Sequence, residues 1–422
     1  MTGLEVTATP ASMRLINQRT LVRLFLRLGT ASRADLAKAA GMSQPTAGKI
    51  ANRLVEMGVL EEVDEEDIAA EPSANGTAKS NRLGRPGRLL RLDRTRPRFM
   101  AVQLGVKQTC LAPLPVAVQI DDDWAVDFPT APTPEGWLAQ LAKAAAALPA
   151  QALWGVLISV PGIVDESNGK VLFSPNLHWT ERFDMVPSLQ RVWPVPALLV
   201  QEIHALALGQ LAADPACEDF LLVDFGQGVG GAVVLGGKLF HGALPLSGEL
   251  GHTPALGNTR PCGCGAVGCV ETLLSRRGLL ESFASACPGA ARDWDAFANH
   301  LREQGVTPWL AKSLDVMGGI IAGALNALGL KRVIITGSLT ELPAGVVEHL
   351  RASVRRGAMW ARFGEVICQS APRHRSAGLV AAGVDRILVP ATHWEGGMRR
   401  HQRRSGSHAA TSHQNPVLVP AQ

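Results

Sequence analysis

At 422 residues the chain is long for a single domain, and its 46% hydrophobic content allows two or three buried cores and excludes a chain disordered throughout. The net charge of +4 conceals an uneven distribution: residues 1–98 carry 16 Lys/Arg against 11 Asp/Glu, the tail from Ala391 carries 4 against 1, and the body between them is net acidic. A basic front is the part that would meet a polyanion.

In chain order, the first 20 residues mix Glu5, Pro10, Arg14, Asn17 and Arg19 with no continuous apolar core, so no secretory signal is expected and the expected location is cytoplasmic. Three short helices are predicted between Met13 and Leu60. Leu15, Leu21, Val22, Leu24, Phe25 and Leu28 recur at helical spacing before Gly29, and Ser32 with Asp35 resembles a capping box for a helix ending near Gly41. Ser43 caps the third helix, with Pro45 in its first turn and Ile50, Leu54, Val55 and Met57 as its apolar face. Two helices across a tight Gly41 turn make a helix-turn-helix. The stretches Glu61–Asp67 and Ala69–Asn81 read as loop, and Gly84–Arg88 leads into Leu89–Leu92 as the second strand of a β-wing, which sets a winged helix-turn-helix at residues 1–98.

From Phe99 the pattern changes to strands alternating with helices. Phe99–Val106, Val116–Ile120 and Ala125–Phe128 predict a strand meander, followed by a Trp137–Leu148 helix and a Leu153–Val160 strand. The uncharged run Ala144–Val164 is interrupted by Pro149, Gln151, Ser159 and Pro161, so no membrane span is expected. Further strands at Ala197–Val200, Phe220–Phe225, Gly230–Leu235 and Arg332–Thr336 interleave with helices at Ile203–Leu211, Leu273–Ala286 and Pro308–Leu328. The simplest architecture is two α/β lobes about a cleft: 99–200, completed by 373–390, and 201–372. Residues 391–422, with four arginines among Ser, His and Gln, predict a disordered basic tail.

Four constellations carry chemistry. On the third helix Ser43, Gln44, Thr46, Lys49, Asn52 and Arg53 lie off the apolar stripe, where such side chains pair with base edges in a major groove; Arg85 and Arg88 on the wing would reach phosphate or the minor groove. His252, Cys262, Cys264 and Cys269 supply one imidazole and three thiolates with glycines between them, a closed tetrahedral donor set suited to structural zinc. Seven cysteines, three of them in eight residues, fit a metal site better than a disulfide framework. Gly226–Gly231 lies between two apolar strands and reads equally as a hairpin turn or a phosphate loop; no helix follows at once, so the dinucleotide fingerprint is not met. Glu202, Glu249, Glu271 and Asn176 are polar groups in small-residue surroundings that suit sugar hydroxyls.

Gly248-Glu249-Leu250-Gly251-His252, the cysteine cluster and Glu271 together resemble the ROK family of bacterial repressors and sugar kinases. The resemblance extends to Val160–Asp165, Ser174-Pro175-Asn176 and Gly228–Gly231, and the winged helix is similar to that of the repressor branch. It implies an actin-like, ribonuclease H-like two-lobed body, zinc on His252, Cys262, Cys264 and Cys269, and homodimers or homotetramers. It also implies sugar contacts from Asn176, Glu249, His252 and Glu271, joined by Gln201 and Glu202, which stand where family kinases carry an Asn-Asp pair whose Asp is the catalytic base. An extra methylene at Glu202 displaces that carboxylate by about 1 Å, a shift that costs on the order of 100-fold. Family kinases begin the body with Asp-x-Gly-Gly-Thr to cradle ATP, whereas this chain has Gln103-Leu104-Gly105-Val106-Lys107; Gln227 replaces the usual Thr of the second phosphate turn, and the adenosine-side glycine pair is reduced to Thr336-Gly337-Ser338.

The implied function is therefore a DNA-binding regulator, a repressor of carbohydrate genes, in which a dimer reads a palindromic double-stranded operator and a sugar or sugar-phosphate effector enters the cleft, without kinase activity. The alternatives are an ATP-dependent sugar kinase that retains a DNA-binding domain, and a regulator switched by a protein partner.

Overall fold

The computed structural model describes residues 17–388 apart from 19, 23, 26, 27, 65–87, 117–121, 150, 151 and 243. The wing residue Arg85, the loop Ala69–Asn81 and the tail 391–422 lie outside the described residues.

The amino-terminal part contains helical residues 17, 18, 20–22, 24, 25 and 28 (α1), then α2 (Arg33–Ala39) and α3 (Gln44–Glu56), with strands β1 (Thr30–Ser32), β2 (Leu60–Val63) and β3 (Leu89–Leu92). The helix starts follow from local chemistry. Ser32 Oγ accepts from the Asp35 amide at 3.1 Å while donating to Asp35 Oδ2 at 2.7 Å, and Ser43 Oγ accepts from the Thr46 amide at 3.4 Å. Each such cap is worth about 1 kcal/mol. Gly41, at φ +62°, makes the turn between α2 and α3 in a conformation that side-chain-bearing residues resist.

The three strands form one antiparallel sheet in the order β1-β3-β2. The acidic stretch expected to be loop from Glu61 instead begins as a strand. Leu60 and Val63 are buried while Glu61 pairs with Arg91 and Glu62 with Leu90 on β3, so two inward apolar residues outweigh the charge of the sequence.

The body repeats one topology twice. The first sheet has the order β10-β7-β4-β5-β6, from β4 (Phe99–Leu104), β5 (Gln108–Leu114), β6 (Val126–Pro129), β7 (Gly155–Val160) and β10 (Ala197–Gln201), with a small hairpin of β8 (Ile163–Asp165) and β9 (Lys170–Phe173). The second has β13-β12-β11-β14-β15, from β11 (Phe220–Phe225), β12 (Val229–Leu235), β13 (Lys238–Leu239), β14 (Arg332–Gly337) and β15 (Ile367–Ser370). In each, three antiparallel strands are followed by a fourth parallel to the first and a fifth parallel to the fourth. This is the two-lobed, actin-like arrangement.

Of the strand expected at Val116–Ile120, residues 117–120 lie outside the described residues; the strand paired between β4 and β6 is Gln108–Leu114, which was not anticipated. β6 pairs with Gln108–Leu111, so among the described residues Pro113 stands where β5 has no neighbour on that side, the edge position a strand proline tolerates.

Helices α4 (Pro134–Ala146) and α5 (Met185–Val192) cover one face of the first sheet through Trp137, Leu141, Met185 and Leu189. On the second, α7 (Glu271–Leu274), α8 (Arg276–Ala286), α9 (Trp294–Gln304), α10 (Pro308–Leu328) and α11 (Ala344–Gly357) bury Phe283, Phe297, Met317 and Leu350. The single helix expected at Leu273–Ala286 is broken at Ser275, whose extended backbone and hydroxyl, accepting from the Gly278 amide at 3.2 Å, start α8 afresh.

The lobes meet through α6 (Glu202–Ala213) and α12 (Arg375–Gly383). α6 is apolar on all sides because it has sheets on both: Ala205 joins the core of the first sheet, while Ile203, Leu206 and Ala207 join Phe220, Leu222 and Val234 of the second. The two helices cross so closely that a Cβ on Gly378 would stand 1.7 Å from the Ala205 carbonyl oxygen, and one on Gly209 1.8 Å from that of His374. Only glycine fits at either position.

The winged-helix core runs into the first lobe without interruption, and Arg98 marks the joint. Its backbone opens β4, its buried guanidinium donates to the Gly58 carbonyl just beyond α3 at 3.0 Å, and that group lies 4.9 Å from the centre of the Trp154 ring. No helix among the described residues is long and apolar enough to cross a membrane.

Candidate functional site

A cleft of about 500 Å³ opens between the lobes, and Asn176, Gln201, Glu202, Glu249, His252 and Glu271 all line it. Asn176 sits in a Ser-Pro-Asn turn held by the Ser174 hydroxyl, which donates to the Pro161 carbonyl at 3.1 Å. The close approach depends on Gly162: at φ +101°, a Cβ there would lie 2.3 Å from the Phe173 carbonyl oxygen. Gln201 ends β10 and Glu202 begins α6, so both face the cleft from the junction of the lobes. Glu249 and His252 flank a short 3₁₀ turn, and Glu271 opens α7, its Oε2 accepting from the Val229 amide at 2.9 Å.

These groups interact with one another. Gln201 Nε2 donates to Glu249 Oε1 at 3.4 Å, and Glu249 Oε2 stands 3.7 Å from His252 Nε2. Burial pushes the Glu249 carboxyl above its ordinary range, with His252 opposing and Glu271 reinforcing the shift. A partly dry pocket of carboxylates and amides offers directed donors and acceptors for a polyhydroxylated ligand.

The other edge of His252 faces sulfur. Its Nδ1 is 3.6 Å from Cys262 Sγ, Cys264 and Cys269 Sγ are 3.7 Å apart, and the four donor atoms lie within 4.8 Å of one another. A tetrahedral zinc with Zn–S of about 2.3 Å sets sulfurs roughly 3.8 Å apart, close to the Cys264–Cys269 separation, so one imidazole and three thiols gathered this closely suit such an ion. Burial raises the Cys262 thiol and, with hydrogen bonds to Cys264 and Cys262, pushes Cys269 up to about 12, so a metal must displace protons to bind. Because Nε2 of the same imidazole points at Glu249, an ion here would fix the orientation of a cleft residue.

On the opposite side of the cleft lie Gly105, Val106 and Lys107. Gly105 donates its amide to the Gln108 carbonyl at 3.0 Å, closing the β4–β5 turn on itself. Gly226–Gly231 is the β11–β12 hairpin, with the Gly226 amide bonded to the Gly228 carbonyl at 2.8 Å. Three arginines span this side. Arg373 grips Asp224 with two bonds of 2.7 and 2.9 Å, Arg276 pairs with Glu341 at 2.9 Å, and Arg375 Nη2 holds Glu202 Oε1 at 2.6 Å. Beneath Gln201, Glu166 from the β8–β9 hairpin accepts from the Gln201 amide at 2.8 Å, contacts His204 Nδ1 at 2.9 Å and pairs with Arg386 at 2.5 Å.

Asp224, Arg373, Arg375 and Glu166 were not anticipated from sequence. Asp224 immediately precedes the glycine-rich run, but its partner is 149 residues away, and Glu166 sits in an Asp-Glu-Ser-Asn-Gly segment that reads as an ordinary turn.

On the winged helix, Ser43, Gln44, Thr46, Lys49, Asn52 and Arg53 are exposed, and Ala47, Ile50, Ala51 and Leu54 are buried. Arg53 pairs with Glu56 at 3.1 Å, and Arg88, at the start of β3, pairs with Glu62 at 2.6 Å.

The ROK family profile matches residues 99–383. The DNA-binding transcriptional dual regulator NagC of Escherichia coli K12 and an N-acetylglucosamine repressor of Escherichia coli O157:H7 are each 24% identical over 407 residues, covering 89% of this chain and 94% of the relative. An N-acetylmannosamine kinase of Salmonella heidelberg is 30% identical over 291 residues, covering 68% of this chain and 97% of the kinase. A crystal structure of a ROK family transcriptional regulator, described as a homologue of the E. coli MLC protein, superimposes with a TM-score of 0.72 at 18% identity, covering 90% of this chain and 99% of that one. The chain belongs to the ROK family, and a repressor match too long to lie within the body alone puts it in the family's repressor branch.

Proposed function

We propose that the chain is a DNA-binding repressor of carbohydrate genes whose cleft senses a sugar or sugar derivative and does not phosphorylate it. The observation that carries this reading is the asymmetry of the cleft. One side offers Asn176, Gln201, Glu249, His252 and Glu271 to hydroxyls, while the side where a nucleotide would lie is bridged by Arg373–Asp224 and Arg276–Glu341. The residue at the catalytic-base position, Glu202, is tied to Arg375 at 2.6 Å, so one of its oxygens is already engaged within the protein. Val106 and Lys107 at the first turn add bulk where phosphate requires bare backbone.

In this reading residues 1–98 bind DNA through Ser43, Gln44, Thr46, Lys49, Arg53, Arg85 and Arg88, and the lobes 99–200 (with 373–390) and 201–372 enclose the effector. Zinc on His252, Cys262, Cys264 and Cys269 stiffens the loop bearing Glu249. A homodimer or homotetramer presents two recognition helices to a palindromic operator, with half-sites one helical turn or a multiple apart. The effector must bind two conformations with unequal affinity for cleft closure to move those helices.

Thermal unfolding of the zinc-loaded protein against sugars, amino sugars and their phosphates tests the sensor. One class should raise the melting temperature selectively. No shift by any of them, with zinc bound, removes the sugar-sensing part. Turnover of ATP with any of them overturns the claim that the cleft is non-catalytic. Gel shifts with Arg53 and Arg85 changed to Ala test the DNA face, and binding equal to wild type overturns it.

A further inference from the structure

Asn52 lies in the last turns of α3, on the exposed side that carries Lys49 and Arg53. Its amide is held in one orientation. Arg33, the first residue of α2, donates to Asn52 Oδ1 from Nε at 3.1 Å and from Nη2 at 2.8 Å. Arg33 is itself anchored by Glu62 Oε1 at 2.7 Å, and Glu62 Oε2 is held by Arg88 at 2.6 Å. A chain of bonds thus runs from the wing strands across α2 to the recognition helix.

A guanidinium has five donors and no acceptor, so the Asn52 oxygen must face Arg33. Two bonds use the lone pairs of Oδ1, and what Asn52 turns outward is its NH₂, a donor alone. Asparagine reads adenine by accepting from N6 and donating to N7 together, which requires a vacant oxygen. A pure donor meets its match in guanine, whose N7 and O6 are both acceptors on the major-groove edge.

We propose that Arg33 sets the base specificity of the recognition helix by holding Asn52 as a donor, so that Asn52 selects guanine over adenine. The inference rests on the reading of α3 as the DNA-contacting helix. Glu62 contributes by keeping the Arg33 guanidinium in place.

The test is selection of duplexes from a randomised pool by the full-length wild type and by Asn52→Ala, Arg33→Met and Glu62→Gln. The position at which Asn52→Ala loses its preference is the one Asn52 reads. Wild type should take guanine there, and exchanging that guanine for adenine should weaken binding tenfold or more. Arg33→Met frees the oxygen and should shift the position toward adenine, cutting the penalty to threefold or less. Glu62→Gln, which keeps Arg33 but loosens its anchor, should fall between, and it serves if Arg33→Met folds poorly by circular dichroism. Adenine selected by wild type, an unchanged guanine preference in both Arg33→Met and Glu62→Gln, or no position lost in Asn52→Ala overturns the inference while the DNA-binding reading stands. A wild type that enriches no sequence overturns both.

Discussion

Glu166 is the group whose removal should be most visible in solution. Its side chain is only 9% exposed, yet it is ionised: burial opposes the charge, and the hydrogen bond to His204 with the charge of Arg386 outweighs burial and holds the carboxyl down to about 2 from an ordinary 4.5. Lowering the carboxyl from 4.5 to about 2 corresponds, at about 1.4 kcal/mol per tenfold change in proton affinity, to on the order of 3 kcal/mol of folding stability. For a carboxylate whose folded value is depressed, that contribution is complete above the unfolded value and disappears as pH falls through the folded one. Linkage gives nearly the whole amount at pH 7, with about 2 kcal/mol of it gone by pH 3. Glu166→Gln keeps an oxygen for the Gln201 amide and removes the charge that pairs with Arg386. Urea unfolding followed by tryptophan fluorescence at pH 7, 5 and 3 should show the variant less stable at pH 7 by up to about 3 kcal/mol, with the gap from wild type closing as the pH drops. A gap of the same size at pH 7 and pH 3 would mean that the carboxylate's charge does not stabilise the junction of the lobes, and the argument fails.

Three further outcomes follow from the packing and the thiol cluster. Gly378→Ala would place a Cβ 1.7 Å from the Ala205 oxygen, forcing α6 and α12 apart at a cost of about 3 kcal/mol or more, whereas Gly319→Ala on α10, with nothing within 4 Å, should gain roughly 1 kcal/mol; denaturation midpoints moving in the same direction for both would contradict this. Cys264→Ala should bind less than one zinc per chain by elemental analysis and unfold at a lower temperature, while Cys287→Ala, outside the cluster, should retain its metal. Gly58→Ala combines φ +66° with a Cβ 2.7 Å from Arg98 Nη2, so a loss of about 1–3 kcal/mol is expected, and Arg98→Ala in the same chain should relieve part of it in a double-mutant cycle.

Repeated local signals made much of this chain readable before its fold was known. Ser32 and Ser43 cap helices because a hydroxyl three residues from an amide needs no tertiary partner. Three cysteines in eight residues with a histidine ten residues upstream define a candidate donor set, since the glycines between the cysteines let a short loop turn back on itself around an ion. The α10 helix, Pro308–Leu328, announced itself through length, a proline in its first turn and Gly329 after its last. The cleft residues Asn176, Glu249, His252 and Glu271 were legible only through the family pattern they complete.

What needed the tertiary structure is everything decided by partners distant in sequence. Glu61–Val63 is a strand because β3 lies beside it, and Pro113 is tolerated in β5 because β6 has already ended. Glu202 is held by Arg375, 173 residues on, and the Asn52 oxygen by Arg33 from the start of α2. The physical reason is common to all four. Propensity, capping and metal-ligand spacing act over a few residues and are written in the sequence itself, whereas an ion pair or a hydrogen bond depends on separations of about 3 Å between side chains that only the completed fold brings together.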